Sequence, residues 1–486
     1  MARAKEKRPT AFTPDIEAFV TTFADSIADG SAAIFAGAGL SVSAGYVDWR
    51  GLMRDIANEL GLSVDRETNL VAVAQYHLNE RRNRTRINQK IIDEFSSGHT
   101  LNENHEVLAR LPIATYWTTN YDRLIETALE AEGKVVDVKF SVSQLKTTLR
   151  GRSATVYKMH GDVSDPDNAV LTKDDYEGYF RERELFVTAL TGDLVSKTIL
   201  FLGFSFTDPN IDYVMSRVRV VLRNQPKQHY CILRREQRKA REKISDFEYR
   251  RRQQDYFIKD LARIGIHALM VDDYSDITRI LRAVESRYRT KTVFISGSAH
   301  EFAPWRADAA GNFVESLSRS LVANGFNLVT GFGLGVGPSV ISGALQEIQS
   351  NPKRRSPNQL QAFPFPVTDM SATARRTLYS RHRERVIGLA GIVIFLFGNK
   401  RNGRGTIVPA DGMREEFAIA KAAGLNIIPV GATGWIAKEV AVEVAPLIAD
   451  RSASFRKAFS VVNNPASDGA AIVKAVLTMI NHYRTH

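Results

Sequence analysis

Residues 32–50 read AAIFAGAGLSVSAGYVDWR: a short apolar run, then Gly37, Ala38 and Gly39, then a polar stretch that closes on Asp48 and Arg50. An unbroken apolar run ending at glycine is the pattern of a strand buried on both faces. Glycine lets the chain turn with positive φ and lets its backbone approach a neighbour or a ligand closely. N–H groups at the start of the following helix can hold a pyrophosphate, with Ser41 beside them. The dehydrogenase-type dinucleotide fingerprint needs another glycine at position 42, where Val42 stands. Gly37 and Gly39 by themselves therefore leave two readings open: a strand-to-helix turn with a nucleotide, or one without.

The same pattern recurs. ATYWTTNYD (114–122), ATVYKMHGD (154–162), TILFLGFSF (198–206) and HYCILRR (229–235) are short β-branched or aromatic runs, with helix-like segments between them, the longest from Leu52 to about Leu111. Strands alternating with helices predict a parallel sheet covered on both faces, which binds ligands outside the carboxyl ends of its strands. Asn120, Asp122, His160, Gly203 and Ser205 fall at those ends. Alone, His160 reads either as a buried, hydrogen-bonded histidine or as a general base whose imidazole changes charge near neutral pH. Asn120 carries a donor and an acceptor and can fix a water or a ribose hydroxyl. Asp122 reads equally as a loop-orienting carboxylate or a helix N-cap. Asp48 and Arg50 either line a ligand or pair with each other.

The first domain closes near Arg287–Arg289, and KTVFISGSA (291–299) starts a second series of strands with FNLVTGFGLGVG, GIVIFLFGNK and LNIIPVG. The expected architecture is α/β: two doubly wound, Rossmann-like domains, residues 1–289 with helical insertions and residues 290–486. Gly331, Gly333, Gly335 and Gly337 alternate between a strand and a helix. Four such glycines suggest close approach to a nucleotide phosphate more than a flexible loop. Ser296, Gly297 and Ser298 end the preceding strand and would face the same ligand. Arg383 and Lys400 suit phosphate contacts, and Glu416 can accept from a ribose hydroxyl, although Arg383 reads equally as half of a surface ion pair.

At 486 residues, 44% hydrophobic and 24% charged, the chain has the composition of a globular protein of two or three domains. It contains no apolar run of the roughly 18–20 residues a membrane helix needs. MARAKEKRPT at the start lacks the apolar centre of a signal peptide. The single cysteine, Cys231, excludes a disulfide framework and a cysteine-based zinc site, so the expectation is a cytoplasmic protein without zinc. The net charge of +11 suits nucleic acid or a phosphate-bearing ligand. Residues 234–255 are rich in Arg and Lys but interrupted by five carboxylates, which favours a solvated helix face over a nucleic-acid patch.

Gly37, Ala38, Gly39, Ser41, Gly45, Asp48 and Arg50 stand in the register of the loop of sirtuin-type NAD-binding domains. Thr118, Asn120 and Asp122 in TTNYD, His160–Gly161, and Gly203, Ser205 and Asp208 in GFSFTDPN follow in the sirtuin order. The first domain thus resembles a sirtuin. The resemblance implies NAD+ as substrate, His160 and Asn120 as catalytic residues, and the glycine turn, Asp48, Arg50, Asp122, Gly203 and Ser205 around NAD+. Sirtuin deacylases also carry a module held by four zinc-bound cysteines, which one cysteine cannot build, and Thr119 replaces their usual glutamine. NAD+ hydrolysis is therefore the expected activity, with deacylation or ADP-ribosyl transfer, or a non-catalytic nucleotide- or nucleic-acid-binding role, as alternatives.

The second domain resembles the SLOG group, relatives of the "lonely guy" phosphoribohydrolases. Arg383 and Glu416 match that branch's arginine and glutamate, but its Pro-Gly-Gly-x-Gly-Thr core is degraded around Gly398, which suits a sensor better than a second hydrolase. A sirtuin-like domain followed by a SLOG domain is similar to the effectors of bacterial Thoeris anti-phage systems. That resemblance implies activation by a cyclic ADP-ribose isomer made by a partner TIR-domain protein, depletion of NAD+ during infection, and homo-oligomers, tetramers or filaments.

Overall fold

The structure is a computed structural model that describes residues 11–96, 98–206, 211, 214–216, 227–366 and 369–485. Asp208 lies outside the described residues. The chain divides into two units, Met1–Glu285 and Ser286–His486. The division falls inside the helix Ser275–Arg289, slightly ahead of the expected boundary. Glu285, the last residue of the first unit, accepts Arg110 Nε at 2.8 Å and Nη2 at 3.0 Å.

Among the described residues the first unit holds seven strands: β1 (Ala32–Ala36), β2 (Thr115–Thr118), β3 (Val136–Lys139), β4 (Ala154–Lys158), β5 (Thr198–Leu202), β6 (His229–Arg234) and β7 (Ile266–Val271). They form one sheet in the order β3-β4-β2-β1-β5-β6-β7, every pair parallel. β1 and β5 are buried at every position, as their continuous apolar sequences require. β3 escapes an apolar reading because Asp137 and Lys139 lie in it; they pair with each other at 2.7 Å. From β1 the chain goes to β2 on one side and later returns to β5 on the other. The carboxyl end of β1 is thus a point where strand order reverses, the place where such sheets bind ligands.

The stretch from Leu52 to Leu111, expected as one helical region, is four helices: Trp49–Glu59, Leu70–Arg81, Thr85–Phe95 and Glu103–Arg110. Gly61 and Arg82 in left-handed conformations end the first two, and Asn69 and Asn102 cap the second and fourth through their side chains. Arg234 ends β6, residues 235–243 form a loop, and only from Ile244 on is the basic run 234–255 helical, within the helix Ile244–Arg263, which buries only Leu261. Its Arg250 is held by Glu236 and, at 2.8 Å, by Glu242, so part of its charge is neutralised on the spot.

The second unit has β8 (Thr292–Ser298), β9 (Asn327–Thr330), β10 (Leu360–Ala362), β11 (Ile392–Phe397), β12 (Asn399–Arg401), β13 (Ile407–Pro409) and β14 (Asn426–Val430). Five of them make a parallel sheet, β10-β9-β8-β11-β14, and β12 and β13 form an antiparallel hairpin. That hairpin is the insertion after Gly398. β11, IVIFLF, is buried throughout and centres the core. Among the described residues no helix is long and apolar enough to cross a membrane.

Candidate active site

Gly37 follows β1 directly, and Ala38–Val42 is one short helical turn. Gly37 and Gly39 donate their N–H groups to the carbonyls of Leu202 and Gly203, both at 2.9 Å. A Cβ on Gly37 would lie 2.5 Å from Gly203 O, and one on Gly39 2.8 Å from Gly203 Cα. Gly203 itself has φ +61°. These three glycines thus have a reason within the protein: two strand-end loops pass backbone against backbone. Ser41 is buried beneath that turn. Ser205 is exposed on the loop after β5.

Asn120 is tied into this turn. Its Nδ2 donates to Gly37 O at 3.1 Å and to Ser41 Oγ at 3.0 Å, while its own N–H donates to Thr118 Oγ1 at 2.9 Å. β2 and β4 are adjacent and pair Thr118 with Lys158, so Asn120 and His160 stand at matching depth, each two residues beyond that pair. His160 is buried, and its ring meets Tyr176 and Tyr179 edge-on at 5.6 and 6.2 Å between centroids. Its carbonyl accepts Val170 N–H at 2.8 Å. Gly161 takes φ +99°, and a Cβ there would press on Ala169 at 3.1 Å. The sheet thus brings Asn120, His160, Ser41 and the glycine turn to one edge.

The other predicted residues support that edge. Asp122 Oδ1 accepts Leu124 N–H at 3.0 Å, but it is not the helix N-cap: Arg123 holds that position ahead of Leu124–Ala131 and makes no side-chain capping bond, so Asp122 orders the loop instead. Asp48 caps the helix Trp49–Glu59 through Gly51 N–H at 2.7 Å. Arg50 does not pair with Asp48; its guanidinium donates to the carbonyls of Val64 and, at 3.4 Å, Glu67. Sequence reasoning missed Tyr176 and Tyr179, which the helix Lys173–Glu182 sets beside His160. It also missed Lys158, wholly buried with Glu126 and Asp162 against its ammonium. Burial alone would lower the Lys158 pKa, but the adjoining carboxylates of Glu126 and Asp162 outweigh it and leave it raised. Burial pushes Glu126 up. Asp162 is held below the ordinary carboxylate range, since Lys158 and Ser164 overcome the effect of burial.

In the second unit a Cβ on Gly333 would fall 1.9 Å from Gly297 O, and one on Gly335 2.1 Å from Ala299 O. A Cβ on Gly337 would meet the Phe332 backbone at 2.8 Å, whereas at Gly331 the nearest atom is in the Phe365 ring at 3.4 Å. The alternating glycines, read as approach to a phosphate, are thus explained at 333, 335 and 337 by the chain's own backbone. Ser296 Oγ donates to Glu416 Oε2 at 2.6 Å. Burial raises the Glu416 pKa, against the opposing pull of Ser296 and Arg383. Arg383 Nη1 bonds Glu415 at 2.8 Å, and its Cζ lies 4.8 Å from the centre of the Phe365 ring. Ser298 Oγ donates to Asn399 O at 3.1 Å, and Lys400 pairs with Asp411 at 2.7 Å. Ser296, Arg383 and Glu416 therefore converge, while Lys400 is held on the hairpin. Glu415 and Phe365 were not foreseen. Among the described residues no cluster of three or more His, Cys, Asp or Glu is placed to hold a metal ion.

Fold and site define a chain that couples a sirtuin-like domain to a SLOG domain. Residues 114–260 match the model of the SIR2-like domain, and residues 276–483 match that of the Sir2- and TIR-associating SLOG family. The NAD(+) hydrolase ThsA of Bacillus cereus (strain MSX-D12) is 46% identical over 472 residues, 96% of this chain and 98% of that protein. The NAD(+) hydrolase ThsA of Acinetobacter baumannii (strain 532279) is 45% identical, over 92% of this chain and 95% of that protein. Defense-associated sirtuin 2 of Bacillus subtilis is 28% identical over 204 residues, 40% of this chain and 20% of that protein. The chain belongs to the ThsA family of NAD(+) hydrolases.

Proposed function

We propose that this NAD+ hydrolase breaks the bond between nicotinamide and ribose, giving nicotinamide and ADP-ribose, with Asn120 and His160 as its catalytic residues. The observation that carries the reading is Asn120 hydrogen-bonded into the Gly37–Ser41 turn, with Asn120 and His160 each two residues beyond the paired ends of adjacent strands. As the C1′–N bond breaks, its electron pair neutralises the pyridinium, so the ring leaves without a proton. The ribose left behind is oxocarbenium-like, as in other glycosidic cleavages. Water forms the new C1′–O bond and gives its proton to His160, acting as general base. Asn120 holds the water or a ribose hydroxyl. The Gly37–Ser41 turn, Gly203, Ser205, Asp48, Arg50 and Asp122 shape the nucleotide's surroundings.

The second unit is read as the sensor, binding a cyclic ADP-ribose isomer through Ser296–Ser298, Gly331–Gly337, Arg383, Lys400 and Glu416. Its likeness to a SLOG family described as Sir2- and TIR-associating supports a partner TIR-domain protein as the source of that isomer. On this reading the protein works in the bacterial cytoplasm as a homo-oligomer, a tetramer or filament, and depletes NAD+ in defence against phage. Product chromatography tests the chemistry. Nicotinamide and ADP-ribose should appear in equal amounts, and His160→Ala and Asn120→Ala should each lower turnover by at least about 100-fold. Wild-type turnover by His160→Ala would remove the assignment; a modified protein in place of free ADP-ribose would indicate transfer.

A further inference from the structure

Lys158 ends β4, two residues before His160. A lysine at a strand end ordinarily carries its charge out to water, but this side chain is 0% exposed. Its Nζ lies 3.2 Å from Tyr121 O and 2.5 Å from Asp122 O, in the loop that carries Asn120. It also lies 2.5 Å from Asp162 Oδ2, in the loop that carries His160, and 3.0 Å from Glu126 Oε1 on the helix behind both. One ammonium therefore binds the two strand-end loops to each other. Buried ion pairs contribute little net stability compared with apolar side chains of the same volume. What this arrangement does supply is a fixed spacing between two loops that Coulomb attraction and directed N–H bonds hold in one geometry.

We propose that Lys158 is a positioning residue for NAD+ cleavage: its ammonium locks the Asn120 loop to the His160 loop, so that carboxamide and imidazole address the same ribose. The inference rests on Asn120 and His160 being the catalytic residues. The full-length chain is assayed for kcat and KM with NAD+, in whichever condition, with or without a cyclic ADP-ribose isomer, makes the wild type fastest. The variants are Lys158→Met and the double variant Lys158→Met/Glu126→Leu. The double variant exchanges the ion pair for apolar side chains and keeps the test open if the single variant does not fold. A misplacement of about 1 Å costs on the order of 100-fold in rate, so kcat should fall by about that factor with KM within about threefold. Glu126→Gln, which leaves an oxygen for the ammonium, should keep kcat within about fivefold of wild type. A folded double variant with kcat within about threefold of wild type would overturn the proposal, as would a raised KM with kcat retained. A merely structural lysine would lower thermal stability and leave turnover per folded molecule intact. His160→Ala is run alongside: if it is inactive while the lysine variants are active, only the role of Lys158 fails, and if it is active the catalytic reading falls as well.

Discussion

His105 is buried behind β1 and β2, and its Nδ1 meets Asn102 Oδ1 at 2.8 Å. Burial lowers its pKa from 6.5 to about 4, against a smaller opposing pull from Asp122. His229 is lowered to about 4 as well, by burial first and then by Lys227. Between those values and 6.5 the unfolded chain binds protons that the native chain does not. Their contribution to stability is therefore complete above pH 6.5 and is lost as pH falls toward 4, up to roughly 3 kcal/mol for each ring. Denaturant unfolding between pH 7 and pH 4 should show this acid loss, and His105→Gln should make the slope shallower. An identical slope in that variant would show that the ring is not the source. Glu416 works in the opposite sense: its raised pKa contributes stability below the ordinary carboxylate range that is lost as pH rises.

The strand-end loops of both units are built by glycines that admit another backbone. Substitution costs should therefore follow the atom a new Cβ would meet. At Gly333 that atom is the Gly297 carbonyl oxygen 1.9 Å away, which cannot retreat without displacing the end of β8. Gly333→Ala should destabilise the chain by on the order of 3 kcal/mol. At Gly331 the nearest atom belongs to the Phe365 ring at 3.4 Å, an ordinary contact. Gly331→Ala should stay within about 0.5 kcal/mol of wild type. Paired thermal melts check both, and equal losses would mean that the backbone approach is not what selects glycine here.

For the molecule as a whole, the proposed activation by a cyclic ADP-ribose isomer requires that this ligand bind the active state more tightly than the resting one. Typical coupling of about 1–3 kcal/mol corresponds to roughly 5–150-fold, and it must be reciprocal in binding. NAD+ consumption by the full chain should rise at least about fivefold when the cyclic ADP-ribose isomer is supplied. Equal rates with and without each isomer would remove the sensor role from the second unit. If Arg383 holds the isomer as proposed, Arg383→Ala should raise the isomer concentration needed by about tenfold or more, through loss of one charged contact.

The amino-acid sequence by itself determined two parallel α/β domains, the order of their strand-end motifs and the candidates Asn120, His160, Arg383 and Glu416. Those features are local: an apolar run stopped by glycine reads the same wherever it is folded. Only the tertiary structure decided what the glycines are for, because Gly37 and Gly203, or Gly297 and Gly333, meet across long stretches of chain. It also decided that Arg383 bonds Glu415 directly and that Arg50 serves the loop around Val64 rather than Asp48. Lys158 lay beyond the reach of sequence for the same reason. A lysine at a strand end reads as solvated until adjacent parallel strands close four oxygens around its ammonium and exclude water.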